Sequence, residues 1–238
     1  MRPVLLAATL VTVLLLATAC AEEESVFTRD IVSTIPWPDE ERAEYVLLDR
    51  DGDEVRGQGV LSVTRQDGQF ELRLRFESER GSDESVLLVD ATTLKPASVR
   101  LEARREEETD VIQGEYDPVE GIVRITEGEE RTVPLRLEEH YYDNESSLFL
   151  WRTIPFEEGY QARYHSVLTN QRRQPVVTVR VVGREEVTVP AGTFEAWRVE
   201  IRFDGVEQVA WYADTPERRL LQYDNSIFLF QLTSDGGG

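Results

Sequence analysis

The feature that most constrains this chain is a period-two alternation of apolar and charged side chains. Phe70, Leu72, Leu74 and Phe76 alternate with glutamate and arginine, and the pattern returns near residues 133–137, 177–181 and 199–203. Successive side chains of a β-strand point to opposite faces, so each segment predicts a strand with one apolar and one wet face. Such strands are typical of an antiparallel sheet that has solvent on one side.

Aspartate–glycine pairs separate several of these segments and indicate hairpin turns at Asp51-Gly52, Asp67-Gly68 and Asp204-Gly205. We expect about a dozen short strands between residues 45 and 232, spaced as in a sandwich or a barrel. The sequence therefore predicts an all-β fold with minor α content. One β-rich domain would cover residues 37–233, followed by a flexible tail at 234–238.

One segment breaks the alternation. In "DNESSLFLWRTIP", Asp143 or Asn144 can cap a helix, and Pro155 ends the apolar run. A short helix is expected at about residues 144–153. The segment "DEERAEY" after Pro38 predicts a second, weaker helical turn.

The net charge argues against polyanionic partners. The chain carries 46 acidic against 26 basic residues, for a formal charge of -20. Such a field repels nucleic acid and anionic lipid surfaces. Hydrophobic residues make up 40% of the chain, which is enough for a folded core rather than disorder.

The N-terminus has the composition of a secretory signal. Arg2 precedes an apolar run from Val4 to Leu16, then small residues, then the only cysteine, Cys20. "LATAC" resembles a bacterial lipobox, which implies a signal peptide at 1–19 and lipidation of Cys20. Residues 20–36 would form an acidic tether to a membrane on the extracytoplasmic side, either the outer face of the cytoplasmic membrane or the outer membrane. The alternative is an uncleaved anchor, but the run is short for a span of about 20 residues.

Motifs of catalysis or metal binding are weak. "DRDGDE" at residues 49–54 matches the start of a calcium loop, but Glu54 stands where that loop needs glycine, so a hairpin turn is favoured. His140 and His165 have no metal-ligand spacing, and the chain has no GxSxG nucleophile motif. With so many acids, no carboxylate pair is informative. We predict no catalytic residues, no metal and no cofactor.

Aromatic residues concentrate in the C-terminal half and allow two interpretations. They can fill a core, or they can line an apolar cavity inside a barrel or half-barrel. The candidate lining residues are Trp151, Phe156, Tyr160, Trp197, Trp211 and Phe228.

"VVGREEVTVPAGTFEAWRVEI" followed by "AWYADTPERRLLQYD" resembles the C-terminal signature of a bacterial envelope family known only as a domain of unknown function. That family is similar to the LolA/LolB lipoprotein carriers. The resemblance implies a strongly curved antiparallel sheet, an unclosed barrel, with a helix across its concave face. It also implies an apolar interior able to hold an acyl chain, and it carries over no catalytic residues.

Within the signature, "VPAGTF" predicts a corner between two core strands. Pro190 suits the second place of a type I turn and Gly192 its fourth, with Gly192 left-handed and the loop closing in a bulge. In a regular strand, Phe194 and Ala196 would then point to one face of the sheet, and Trp197 and Val199 to the other. Either a bulge near Ala196 changes the face, or Trp197 points away from Phe194.

Three functions remain open on the sequence. The first is a non-catalytic lipoprotein whose curved sheet binds a lipid or another hydrophobic ligand. The second is a structural or interaction module of an envelope complex, acting through its charged outer face. The third, ranked last, is a hydrolase of a polymer, which needs two carboxylates about 5 to 9 Å apart.

The N-terminal assignment is tested by mass spectrometry of the protein extracted from membranes. We expect the mature chain to begin at Cys20 and to carry the extra mass of acyl chains, because stable anchoring needs more than one chain. An intact Met1, or an unmodified Cys20, would refute the lipoprotein assignment.

Overall fold

The computed structural model describes residues 27–128 and 131–234. The predicted signal peptide, Cys20, the first part of the tether and the tail at 235–238 lie outside the described residues. The described residues form one mainly antiparallel sheet of fifteen strands, strongly curved and not closed, as the sequence predicted. Some strands are longer than expected, up to fourteen residues.

The fifteen strands are β1 (Glu40–Asp49), β2 (Val55–Gln66), β3 (Gln69–Ser78), β4 (Gly81–Asp90), β5 (Pro96–Arg105), β6 (Glu108–Asp117), β7 (Ile122–Glu127), β8 (Arg131–Arg136), β9 (Tyr141–Asp143), β10 (Gln161–Val167), β11 (Val176–Val189), β12 (Gly192–Phe203), β13 (Val206–Ala213), β14 (Leu220–Asp224) and β15 (Phe228–Ser234). Among the described residues the one α-helix, α1 (Ser147–Leu150), lies between two 3-10 turns, Asn144–Ser146 and Trp151–Thr153. A further 3-10 turn covers Thr169–Gln171.

The sheet runs in the order β8-β7-β6-β5-β4-β3-β2-β1-β15-β14-β13-β12-β11-β10-β9. The pairing of β1 with β15 brings the two ends of the domain together and makes the two halves continuous. Neighbouring strands are antiparallel except β9 and β10, which are parallel. The two edges of the sheet are therefore β8 and β9.

The concave face carries the core. The alternation places Leu72, Leu87, Val123, Val181 and Ile201 inside, each fully buried, while the arginines and glutamates between them face solvent. Half-buried ion pairs such as Arg73 with Glu84 (2.8 Å) lie on the outer face, where solvent screening keeps their contribution to stability small. The fold is thus driven by burial of one face of the sheet.

The Asp-Gly turns form as predicted. Asp67 and Gly68 both have positive φ (48° and 79°), and so do Asp204 and Gly205 (49° and 77°). Two positive φ angles define a type I′ turn, which matches the twist of a hairpin. Residues 50–54 form the loop between β1 and β2, where Asp49 Oδ1 accepts from the N–H of Asp53 at 2.9 Å.

The helical turn predicted after Pro38 is wrong. Residues 40–49 form β1, which pairs with β2 on one side and β15 on the other. Local helix signals lose to the hydrogen bonds of two neighbouring strands. Residues 27–36, assigned to the tether, pack along the domain: Ile31 is buried, and the Ser33 N–H donates to the Thr153 carbonyl at 3.0 Å.

The "VPAGTF" corner is tighter than predicted. Val189 pairs directly with Gly192, so the loop has two residues, Pro190 and Ala191, and the bulge lies in β11 at Val182 instead. The N–H of Ala191 donates to the carbonyl of Leu232 at 3.0 Å, which fixes the turn against β15. The register is continuous past Ala196, so Trp197 and Phe194 lie on opposite faces.

Gly192 has a φ of 140°, a conformation that side-chain-bearing residues rarely adopt, and a Cβ there would lie 3.4 Å from the Phe194 ring. Gly192→Val should lower the free energy of unfolding by about 1–3 kcal/mol. Ala191→Val, on the exposed turn with negative φ, is the control. Equal midpoints of chemical denaturation for the two variants would contradict the strained-turn explanation.

Candidate functional site

The helical segment at residues 144–153 crosses the concave face of the sheet and forms the base of the candidate site. Asp143 begins it: its Oδ1 accepts from the N–H of Glu145 at 2.8 Å, as an N-cap does. Ser146 Oγ returns a hydrogen bond to the Asp143 carbonyl at 2.7 Å. The segment that the sequence predicted as a helix is therefore confirmed, including its cap.

The far end of this segment is held by Arg152, which is buried. Its guanidinium makes a bidentate ion pair with Glu41 of β1, at 2.6 and 3.1 Å. It also donates to the carbonyls of Glu217 (2.6 Å) and Arg218 (2.9 Å) and lies over the ring of Trp37. A buried charge with this many partners fixes position strongly, because losing Glu41 would leave the charge unpaired in the core.

A cavity of about 330 Å³ lies between the helical segment and the curved sheet. One wall is a chain of four aromatic rings. The ring centroids of Phe76 and Phe230 are 5.2 Å apart, those of Phe230 and Tyr223 5.6 Å, and those of Tyr223 and Trp151 6.1 Å. The remaining apolar lining consists of Leu74, Leu148, Leu168, Val177, Ile201 and Phe203.

The polar atoms of the aromatic residues around the cavity are satisfied within the protein. Trp151 Nε1 donates to the Tyr164 hydroxyl at 3.0 Å, and the Tyr223 hydroxyl donates to Gln208 Oε1 at 2.6 Å. The Tyr212 hydroxyl donates to the Leu148 carbonyl at 2.9 Å. Because these groups are paired, Trp151 and Tyr223 present apolar ring surface to the cavity.

The polar lining residues are Asn144, Glu145, Ser147, Gln171, Arg173, Gln208 and Asn225. Glu145 is the acid among them. Its Oε2 accepts from Ser85 Oγ at 2.8 Å, and its Oε1 accepts from Asn144 Nδ2 at 3.1 Å. The cavity therefore has an apolar interior and a polar margin that contains a carboxylate, a composition typical of small-ligand sites.

Next to this margin, Asp143 is a fully buried acid. Its Oδ2 accepts from the Tyr116 hydroxyl at 2.5 Å and from Thr169 Oγ1 at 3.1 Å. Burial, reinforced by the charge of Glu145, raises the pKa of Asp143 to about 7. Burial likewise raises the pKa of Tyr116. This network joins β6, the helical segment and the Thr169–Gln171 turn.

The described residues hold neither a cluster of metal ligands nor a membrane-spanning helix. Residues 27–128 and 131–234 contain no group of three or more His, Cys, Asp or Glu placed to hold a metal ion. His140 and His165 lie near one another around Phe27, with ring centroids 6.2 and 4.5 Å from that ring. No helix in the described part of the chain has the length and apolar character that a bilayer crossing requires.

Comparison with known proteins decides the family. The family described as protein of unknown function (DUF3108) matches residues 44–224, which is most of the domain. The chain belongs to the DUF3108 family. This DUF3108 protein has no match among curated proteins.

Two solved structures are similar to this DUF3108 protein. A β-barrel-like protein of domain of unknown function DUF1849 from Brucella abortus shares its fold, with a TM-score of 0.51 and 13% identity over 86% of this chain and 96% of that one. A protein with a YmcC-like fold from Bacteroides fragilis has a TM-score of 0.29 and 10% identity, over 84% of this chain and 97% of that one. The likeness to LolA/LolB carriers stays a prediction.

Of the six predicted lining residues, one lies in the cavity wall: Trp151. Phe156 and Trp197 pack together with centroids 5.9 Å apart, on the helix-facing side of the sheet. Trp211 is half-buried and donates to Glu185, Tyr160 is half-buried before β10, and Phe228 is 36% exposed. Those five lie outside the lining of this cavity.

The lining that sequence reasoning missed includes Phe76, Tyr223 and Phe230. Phe76 belongs to β3, in the N-terminal half. It reaches the cavity because β15 pairs with β1, and β3 lies two strands beyond β1 in the sheet. Its place in the alternation with Leu72 and Leu74 indicated that it could face inward. Which inward residues border a cavity depends on where the helical segment lies.

Asp143 should make stability depend on pH. Its ordinary pKa is 3.8 and its folded pKa about 7, so between these values the folded protein holds a proton that the unfolded chain has lost. The free energy of unfolding should therefore fall as pH rises across this window, by at most about 1.4 kcal/mol per pH unit from this group, and level off above it.

Asp143→Asn should remove the part of this pH dependence that comes from Asp143. Urea denaturation from pH 4 to 8 measures it. Asp51→Asn, on the exposed β1–β2 loop, is the control for loss of one acid. A constant stability difference between wild type and Asp143→Asn at every pH would refute the titration of Asp143 in this window.

Proposed function

We propose that this DUF3108 protein is an extracytoplasmic lipoprotein that binds a hydrophobic ligand without catalysing a reaction. The observation that carries the proposal is the cavity of about 330 Å³ walled by Phe76, Phe230, Tyr223 and Trp151. Its volume is near the lower end for small-molecule sites. It equals that of roughly eleven water molecules in the liquid, enough for part of an acyl chain or a small apolar molecule.

The chemistry of the wall favours an apolar occupant. Burial of apolar surface contributes roughly 25 cal/mol for each Å² that a ligand removes from water. The polar groups of Trp151 and Tyr223 already have partners within the protein, so the wall itself offers a ligand few hydrogen bonds. The predicted similarity of the family to the LolA/LolB carriers points the same way.

The acids near the cavity are engaged in structure, which supports a binding role over the hydrolase alternative. Asp143 caps the helical segment and accepts from Tyr116, while Glu145 accepts from Ser85 and Asn144. A general acid and base would each need an oxygen directed at substrate. Among the described residues, Glu145 is the one acid in the cavity lining, and Asp143 is fully buried outside it, so a second carboxylate for this chemistry is missing from the lining.

The anchoring part of the proposal rests on the N-terminal sequence. Acyl chains on Cys20 would hold the domain at a bacterial membrane, and the formal charge of -20 argues against nucleic acid as a partner. Phe27 lies against His165 and beneath the Arg163 guanidinium, so the chain that leads back to Cys20 starts from a fixed point on β10. Six residues separate Phe27 from Cys20.

Binding in this cavity is tested by calorimetric titration of 1-decanol into the chain that starts at residue 20, with Cys20→Ser to exclude attached acyl chains. Phe203→Ser removes a half-buried ring from the lining and should weaken binding about tenfold, the effect of losing roughly 1.4 kcal/mol of apolar contact.

Phe194→Ser is the matched control. Phe194 is also half-buried but lines a second cavity of about 410 Å³ beside the Pro190-Ala191 turn. No binding by the parent chain would refute the proposed function. If Phe194→Ser weakens 1-decanol binding and Phe203→Ser does not, the ligand binds in the second cavity instead.

A further inference from the structure

The polar side chains at the margin of the cavity between the helical segment and the sheet offer both donors and acceptors. Two amides use their oxygens within the protein: Gln171 Oε1 accepts from Arg173 Nε at 2.7 Å, and Asn225 Oδ1 accepts from the N–H groups of Ile227 and Phe228 at 2.9 and 2.7 Å. Arg and backbone N–H groups only donate, which fixes the orientation of both amides. Their NH₂ groups are therefore the ends that can donate to a ligand.

Glu145 supplies hydrogen-bond acceptors at the same margin. Its carboxylate is half-buried at the margin, and each of its oxygens accepts one hydrogen bond from the protein, from Ser85 and Asn144. A carboxylate oxygen has a second lone pair, so each can still accept from a ligand. The charge of Glu145 also contributes to raising the pKa of Tyr223, after the larger effects of burial and of Tyr164.

The positive charge in the lining does not offset the charge of Glu145. Arg173 lies at the margin, but its guanidinium is paired with Asp204 and donates to Gln171. A ligand carboxylate would have to compete with Asp204 for Arg173 while lying near Glu145. Like charges in a partly desolvated site repel strongly, and the net charge of the chain adds to the repulsion.

From the proposed function and this margin, we infer that the cavity binds a single-chain amphiphile with an uncharged head that both donates and accepts hydrogen bonds, such as a hydroxyl or an amide. A hydroxyl or amide head can donate to Glu145 and accept from the amides of Gln171 and Asn225. The same chain ending in a carboxylate is rejected, because it cannot donate and it meets the charge of Glu145.

The test compares three ligands of one chain length: 1-decanol, decanamide and decanoate. Each is titrated calorimetrically at pH 8 into the Cys20→Ser chain that starts at residue 20, which contains the whole sheet and core. We expect 1-decanol and decanamide to bind at least tenfold more tightly than decanoate. Decanoate binding as tightly as 1-decanol overturns the inference and leaves the proposed function standing.

The role of Glu145 is tested by Glu145→Gln, which keeps the size of the side chain and removes its charge. The ratio of the 1-decanol and decanoate affinities should move at least fivefold toward one. Glu139→Gln, whose side chain is 94% exposed, removes one charge outside the cavity lining and should leave the ratio unchanged.

If Glu145→Gln and Glu139→Gln change the ratio of the 1-decanol and decanoate affinities equally, the net charge of the chain alone discriminates between the two ligands. That result overturns the role given to the cavity margin. If Glu145→Gln fails to fold, the ratio measured for the parent chain still decides whether carboxylates are rejected. If none of the three ligands binds the parent chain, the proposed function fails and this inference fails with it.

Discussion

The buried guanidinium of Arg152 is the interaction on which the interior of this protein depends. It joins the helical segment to Glu41 of β1 and to the carbonyls of Glu217 and Arg218 between β13 and β14. These elements are far apart in sequence and lie on both sides of the β1–β15 junction. Because the ion pair is shielded from solvent, its partners cannot separate without exposing an unpaired charge to an apolar core.

The position of the helical segment decides how much of the curved sheet is filled. Asp143 holds its start against Tyr116 and Thr169, and Arg152 holds its end. Between these points Leu148 and Trp151 cover part of the concave face. The rest stays open as the cavity, so the same contacts that stabilise the domain also define the space available to a ligand.

Several local features followed from the residues alone. Asp143 or Asn144 was expected to cap a helix, and Asp143 does, because a short carboxylate before an apolar run can reach the first N–H groups. The Asp-Gly pairs at 67–68 and 204–205 form tight hairpins, because both positions need positive φ. These predictions succeed since each depends on bonds between residues close in sequence.

Other features depended on partners distant in the chain. The segment after Pro38 has helix-favouring residues but forms β1, since two strands supply its hydrogen bonds. "VPAGTF" has a two-residue loop because the Ala191 N–H meets the Leu232 carbonyl of β15. Trp151 borders the cavity, whereas Phe228 lies outside its lining and Phe76, which the sequence did not single out, lies within it.

The sequence by itself determined that this chain makes an all-β fold, with one apolar face per strand and one short capped helix, since period and capping are read from neighbouring residues. Only the tertiary structure decided which inward side chains border empty space. That depends on where β1 meets β15 and where Arg152 fixes the helical segment, and both are contacts between residues more than a hundred positions apart.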